Sequence, residues 1–177
     1  MVILECLKDD ADEMDKIIEN LNLINAGNFD IAILTSSNKP IIYKNGIHIW
    51  IKTTDADNAN LMIILGFILL GHPDWHGADI KIFDLCKKSD VAETRRQMKE
   101  LIDKGRLPIT PQNVKIIVEE QDKSNKDVIN QYSVDAGLVI VGFNRESIKN
   151  QGKSIFEGYD NLGNVLFVNS SINKIIE

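Results

Sequence analysis

The stretch LMIILGFILLG at 61–71 limits the fold more than any other part of this chain. A helix that crosses a bilayer needs about 20 consecutive apolar residues. This run is shorter, with Asp55, Asp57 and Asn58 ahead of it and His72, Pro73 and Asp74 behind it. A helix that is apolar around its whole circumference, yet too short to span, must be covered by protein on most sides. The expectation is therefore a buried helix in the core of a layered, soluble domain.

The chain is long enough to supply those layers. At 177 residues, 44% of them hydrophobic, it fits a single domain over 1–177 with a sizeable core. Its 20 Lys and Arg against 26 Asp and Glu give a formal charge of −6, and the two signs are interspersed, so a phosphate backbone finds no basic surface. Nucleic acid is not an expected partner. Cys6 and Cys86 stand far apart without a CxxC, which reads as two reduced thiols in a reducing compartment. The start, MVILECLKDDADEM, has neither a basic n-region nor a long apolar h-region, so nothing in it directs export.

Periodicity divides the chain into alternating elements. Met14, Ile17, Ile18, Leu21 and Ile24 recur at helical spacing over 10–26, and Gly27-Asn28 stops that helix. FDIAILTSS (29–37) and PIIYKNG (40–46) read as strands joined at Asn38-Lys39-Pro40. In GIHIWIKTT (46–54), Ile47, Ile49 and Ile51 point one way and His48, Trp50 and Lys52 the other. The apolar helix follows, with Asp55 or Asp57 as N-cap and Pro73 beyond its end. Then come strand 79–85, helix 91–105, strand 114–120, helix 126–133, strand 137–143, a polar loop or helix over 144–160, and strand 164–170. Asp90 and Glu93 have capping-box spacing at the start of the 91–105 helix. Short Ile- and Val-rich strands separated by helices describe an α/β fold: a doubly wound, mainly parallel sheet with helices on both faces. Residues 1–45 form a lead-in of helix and strands, and 46–177 the doubly wound core. With the 46–52 and 137–143 strands adjacent at the centre, a ligand crevice is expected beyond their carboxyl ends, lined by Thr54, Asp55, Gly142 and Asn144.

The chemical motifs are weak. GFNRESIKNQGKS (142–154) ends in Gly-Lys-Ser, but a phosphate-wrapping GxxxxGK[ST] needs glycine where Ser147 stands, and the motif lies some ten residues past the strand. HPDWH (72–76) sets two histidines four apart, but Pro73 breaks the helix that would align them on a metal. A helix-ending turn with Trp75 partly packed accounts for it. There is no GxSxG elbow, and His48 inside a strand reads as a hydrogen-bonded structural residue. Glu119-Glu120 and Asp55/Asp57 sit where helix dipoles and strand ends explain them. In the helix 91–105, Met98, Leu101 and Ile102 face the core, while Arg95, Arg96, Lys99 and Lys104 make a solvated face. The alternative reading of that basic face is a docking surface for an acidic partner or a nearby membrane.

Taken together, IHIWIK (47–52), LMIILGFILL (61–70), ADIKIF (78–83), ETRRQMKELIDKGRL (93–107), DAGLVIVGF (135–143) and NVLFVNSS (164–171) resemble the carboxyl-terminal cytosolic domain of cation-chloride cotransporters of the sodium-potassium-chloride type. The lead-in DKIIENLNLINAGNFDIAIL (15–34) is similar to the segment that precedes the later half of that domain. The resemblance implies a universal-stress-protein-like α/β domain on the cytoplasmic side of the cell membrane. Its partners would be a transmembrane transport domain of the same polypeptide and a second copy in a homodimer. It implies regulation of symport without catalysis, cofactor or metal. The long polar insertion of animal members is replaced by the short EEQDKSNKD (119–127). Universal stress proteins that bind ATP use G-x2-G-x9-G-[ST] after the fourth strand, and counting from Gly142 this chain has Arg145 and Ile155 at the glycine positions. Nucleotide binding by that route is disfavoured. Two other functions fit the residues: a universal-stress-type small-molecule sensor using the crevice, and a metal-dependent hydrolase using His72 and His76.

Overall fold

The computed structural model describes residues 1–25, 27–52, 56–104 and 109–172. Its elements run β1 (Val2–Leu7), α1 (Ala11–Asn25), β2 (Ile31–Ser36), β3 (Ile47–Lys52), α2 (Ala56–Leu70), β4 (Ile80–Cys86), α3 (Val91–Lys104), β5 (Val114–Val118), α4 (Asn125–Ser133), β6 (Leu138–Gly142), α5 (Arg145–Gln151) and β7 (Val165–Asn169). The seven strands make one sheet in the order β1-β2-β7-β6-β3-β4-β5. Every neighbouring pair is parallel except β2 and β7. The fold is a doubly wound, mainly parallel α/β architecture, with β3 and β6 adjacent at its centre. Among the described residues no helix is long and apolar enough to cross a membrane.

Alternation along the strands sorts side chains into two cores. On one face Trp50, Phe83, Val139, Val141 and Phe167 pack under α1, α4 and α5, with Trp50 stacked on Phe83 at 4.5 Å between ring centroids. The helical spacing of Met14, Ile17 and Leu21 buries α1 against Cys6, Ile31 and Ile33 on this face. On the other face Ile47, Ile49, Ile82 and Ile140 pack under α2 and α3. The 61–71 run thus lies over the centre of the sheet, and α2 ends at Leu70, ahead of Pro73. Gly66 lets it lie close to the sheet: a Cβ there would stand 2.9 Å from Ile49 Cδ1.

The lead-in differs from the expectation in two places. Residues 40–46 are not a strand. Tyr43–Asn45 form a single 3-10 turn closed by Gly46 at φ 78°, and Ile41 and Ile42 are exposed. Pro40 has no N–H to give a ladder, and β7 already takes the edge of β2 that such a strand would need. The place of the missing strand is taken by β1, read only as a non-signal amino terminus, whose parallel partnership with β2 through α1 makes a right-handed crossover the natural connection. Asp90 and Glu93 do not close a capping box either. The Asp90 N–H bonds the Lys87 carbonyl, and the Glu93 carboxylate turns forward to Arg96 and Gln97.

Candidate functional site

The direction of winding reverses between β3 and β6: β3 leads through α2 to β4 on one side, and β6 through α5 to β7 on the other. In open α/β sheets this reversal leaves a crevice at the carboxyl ends of the two strands. Here it is a hollow of about 370 Å³. Lys52 from β3, Asn125 and Lys126 from α4, and Asn144, Ser147 and Gln151 around α5 contribute its polar lining, and Phe167 and Tyr159 part of its apolar wall. Of the four expected residues, Gly142 and Asn144 line it, while Thr54 and Asp55 fall outside the described residues.

Most of the polar groups at this end of the sheet are bonded within the protein. Asn144 is the N-cap of α5, its Oδ1 accepting from the Glu146 N–H at 2.8 Å. The Arg145 guanidinium donates to the Asn169 side chain and to the Phe29 carbonyl. Phe143 carbonyl accepts from both Asn58 Nδ2, at 3.0 Å, and Asn169 Nδ2, at 2.9 Å. Asn58 Oδ1 in turn accepts the Ser170 N–H at 2.7 Å, so one buried amide ties the start of α2 to the ends of β6 and β7. Gly142 serves that contact: a Cβ would stand 3.1 Å from Asn58 Nδ2 and 3.3 Å from Met62 Sδ, on the α2 face of the sheet.

The Lys126 ammonium donates to the carbonyls of Ser154 and Glu157, and partial burial lowers its pKa. It holds the turn at 152–158 against α4. Lys8 does the same one loop further on: it donates to Tyr159 and Leu162 carbonyls at 2.9 Å each, and burial brings its pKa down to about 8. Ile155, one of the two positions where a phosphate-binding loop would need glycine, adds carbon to the crevice wall. No local pattern marks Lys126 and Tyr159 as crevice residues, because only the folding of the 152–162 turn back onto α4 brings them there. The one available signal was that α4, following a parallel strand, must begin at the same end of the sheet.

Elsewhere the motifs resolve into structure. His48 Nδ1 and Trp50 Nε1 both meet Ser133 Oγ at 2.9 Å. Ser133 is wholly buried and its oxygen accepts from the indole, so this serine–histidine pair is a strut between β3 and α4. Burial lowers the His48 pKa to about 4, keeping the ring neutral. His72 caps the turn Pro73–Trp75, its Nδ1 accepting from the Asp74 N–H at 3.3 Å, and Trp75 is buried. Among the described residues no cluster of three His, Cys, Asp or Glu could hold a metal. Cys6 and Cys86 are free and buried, and burial raises the Cys6 thiol to about 11.

No protein-family profile matches the chain, and no curated protein matches it. Among solved structures it is similar to the cytoplasmic domain of a prokaryotic cation chloride cotransporter, with a TM-score of 0.61 at 15% identity, over 96% of this chain and 63% of that one. The chain therefore spans a little under two thirds of that structure's length. At such identity the likeness establishes architecture: this chain has the doubly wound α/β fold found in that cotransporter's cytoplasmic domain.

Proposed function

We propose that this chain is a cytoplasmic regulatory domain of a membrane cation-chloride cotransporter, of the sodium-potassium-chloride type, with no catalysis of its own. Residues 1–177 act as one domain, attached at the cytoplasmic side of the membrane to the transport part of the same polypeptide. Self-association into a homodimer belongs to the same reading. The observation that carries it is the fold likeness over 96% of the chain to a cytoplasmic domain of a cotransporter. Local chemistry supports it: Asn58, Asn169, Lys126 and Asn144 at the switch point are turned inward onto carbonyls and a helix cap. The test is chloride-dependent cation uptake by vesicles holding the transport part, measured with and without the domain. A changed rate supports the assignment; equal rates together with no copurification of the two parts overturn it.

The crevice gives a second reading, a universal-stress-type small-molecule sensor, because Lys52, Ser147 and Gln151 line a hollow large enough for a small ligand. Thermal shifts with ATP, ADP and AMP separate the two. A ligand at 100 times its dissociation constant adds about 2.7 kcal/mol of stability. No shift with any of the three removes the nucleotide-sensor reading.

A further inference from the structure

One half of the sheet lacks a layer. On the face that α2 and α3 cover, α3 stands over β4 and β5, and α2 over β3, β6 and β7. Among the described residues no helix follows over β2 and β1. What lies there is a groove of about 940 Å³, floored by Ile3, Ala32, Leu34 and Leu166 and walled by Leu65 and Ile68 of α2. Both its floor and its wall expose large apolar groups: Ile3 is 66% exposed and Ile68 65%. A surface helix ordinarily carries charged residues on its outer side. From Asn58 to Gly71, α2 and the residue after it carry none.

We propose that the groove is filled by α2 of a second copy of this chain, so that in the dimer each copy's α2 supplies the helical layer missing over the other's β1 and β2. This rests on the homodimer of the proposed function and names its surface. A ridge and a hollow side by side on one face are self-complementary: a two-fold axis between them seats each ridge in the other's hollow, the isologous arrangement of most homodimers. The lengths agree. Six-residue strands run about 20 Å, and a 15-residue helix about 22 Å. The rim carries Lys39 against Glu5 and Asp74, so the face is not of one sign.

The free edge of β1 is the competing route to a dimer. The N–H groups of Val2 and Lys8 bond to β2, so by alternation those of Ile3 and Glu5 point outward. Pairing along that edge is made by backbone groups and does not depend on Ile68.

The test is sedimentation velocity of the 177-residue chain over a wide concentration range, with circular dichroism to check folding. The chain should dimerise, and Ile68→Glu and Ile3→Glu, both at exposed positions, should each weaken the dimer by at least about 30-fold. Ile3→Cys mixed with Ile68→Cys should form an oxidised heterodimer more readily than either variant alone. A chain monomeric at every concentration overturns both this surface and the homodimer. A dimer that survives both glutamate variants overturns the α2 surface and leaves the homodimer standing.

Discussion

Two helices share one face of the sheet, yet their sequences have almost nothing in common. The helix α3 covers β4 and the edge strand β5, buries Thr94 and Met98, and turns Arg95, Arg96 and Lys99 to water. The helix α2 covers the centre of the sheet and stays apolar on its outer side, where Ile68 is exposed. The difference teaches that a helix's outward composition reports what it meets, while its inward composition reports only that a sheet lies beneath. Both helices bury a methionine. Only α2 has a second apolar side, and it is the side that borders the groove.

The largest expected effect separates the inward sides. Met62 is fully buried, with its sulfur against Gly142, whereas Met98 retains 8% exposure beside the sheet edge. Truncating a buried methionine costs about 2–5 kcal/mol, more where the surroundings cannot collapse. Met62→Ala is therefore expected to cost about 4 kcal/mol and Met98→Ala about 2 kcal/mol, measured by urea denaturation. Equal costs would mean that α3 is as deeply seated as α2, and the contrast would lose its physical basis.

Next comes the polar tie at the start of α2, for which the fully solvated face of α3 has no counterpart. Asn58→Ala leaves the half-buried Ser170 N–H without its acceptor and takes one of two donors from the Phe143 carbonyl. The expected loss is about 2 kcal/mol. Hydrogen exchange should show the Ser170 amide opening in the variant while the amides of α3 stay as protected as before.

These contrasts also mark what the sequence could and could not say. The strand 47–52 was legible because its alternation is strict, and α2 because an apolar run of that length has one home in an α/β sheet. The strand β1 was not, because an edge strand with exposed Ile3 and Leu7 buries too little to impose a clear period. Residues 40–46 misled in the opposite direction: Ile-Ile-Tyr has strand propensity, but the sheet offered no free edge beside β2. At the crevice Gly142 could be placed from its strand, but its close approach to Asn58 and Met62 depends on α2 crossing over it, which no local pattern encodes.

A smaller effect concerns the face that both helices cover. Asp84 sits there between Ile51 and Ile116, buried, with Oδ1 unpaired, and burial raises its pKa to about 6. Because its folded pKa lies above the ordinary 3.8, the folded state binds the proton more tightly, and stability falls as pH rises from about 3.8 to about 6. His48, on the other face, works oppositely. With its pKa lowered from 6.5 to about 4, the unfolded chain takes up the proton first, and stability falls as pH drops from about 6.5 to about 4. The two slopes largely cancel between pH 4 and 6. Asp84→Asn should raise stability at pH 7 by about 1–2 kcal/mol and expose the His48 slope, so that the melting temperature of the variant falls on acidification more steeply than that of the parent.

The smallest expected effect lies on the outer side of α3. Arg96 pairs with Glu93 one turn before it and with Glu100 one turn after, and its hydrogen bonds hold the Glu93 carboxyl down at about 2. That shift suggests a strong contact, but both groups are fully exposed. Water solvates each charge as well as its partner does, salt screens the pair, and two long side chains must be ordered to make it. Arg96→Ala also installs the best helix former. The melting temperature should therefore stay within the scatter of repeat measurements, in low salt and high salt alike. A reproducible, salt-dependent fall would mean that the charged side of α3 helps hold it to the sheet. In that case charge on an outer helical side would not report contact with water alone, and the inference from α2's uncharged outer side to a covering partner would lose its premise.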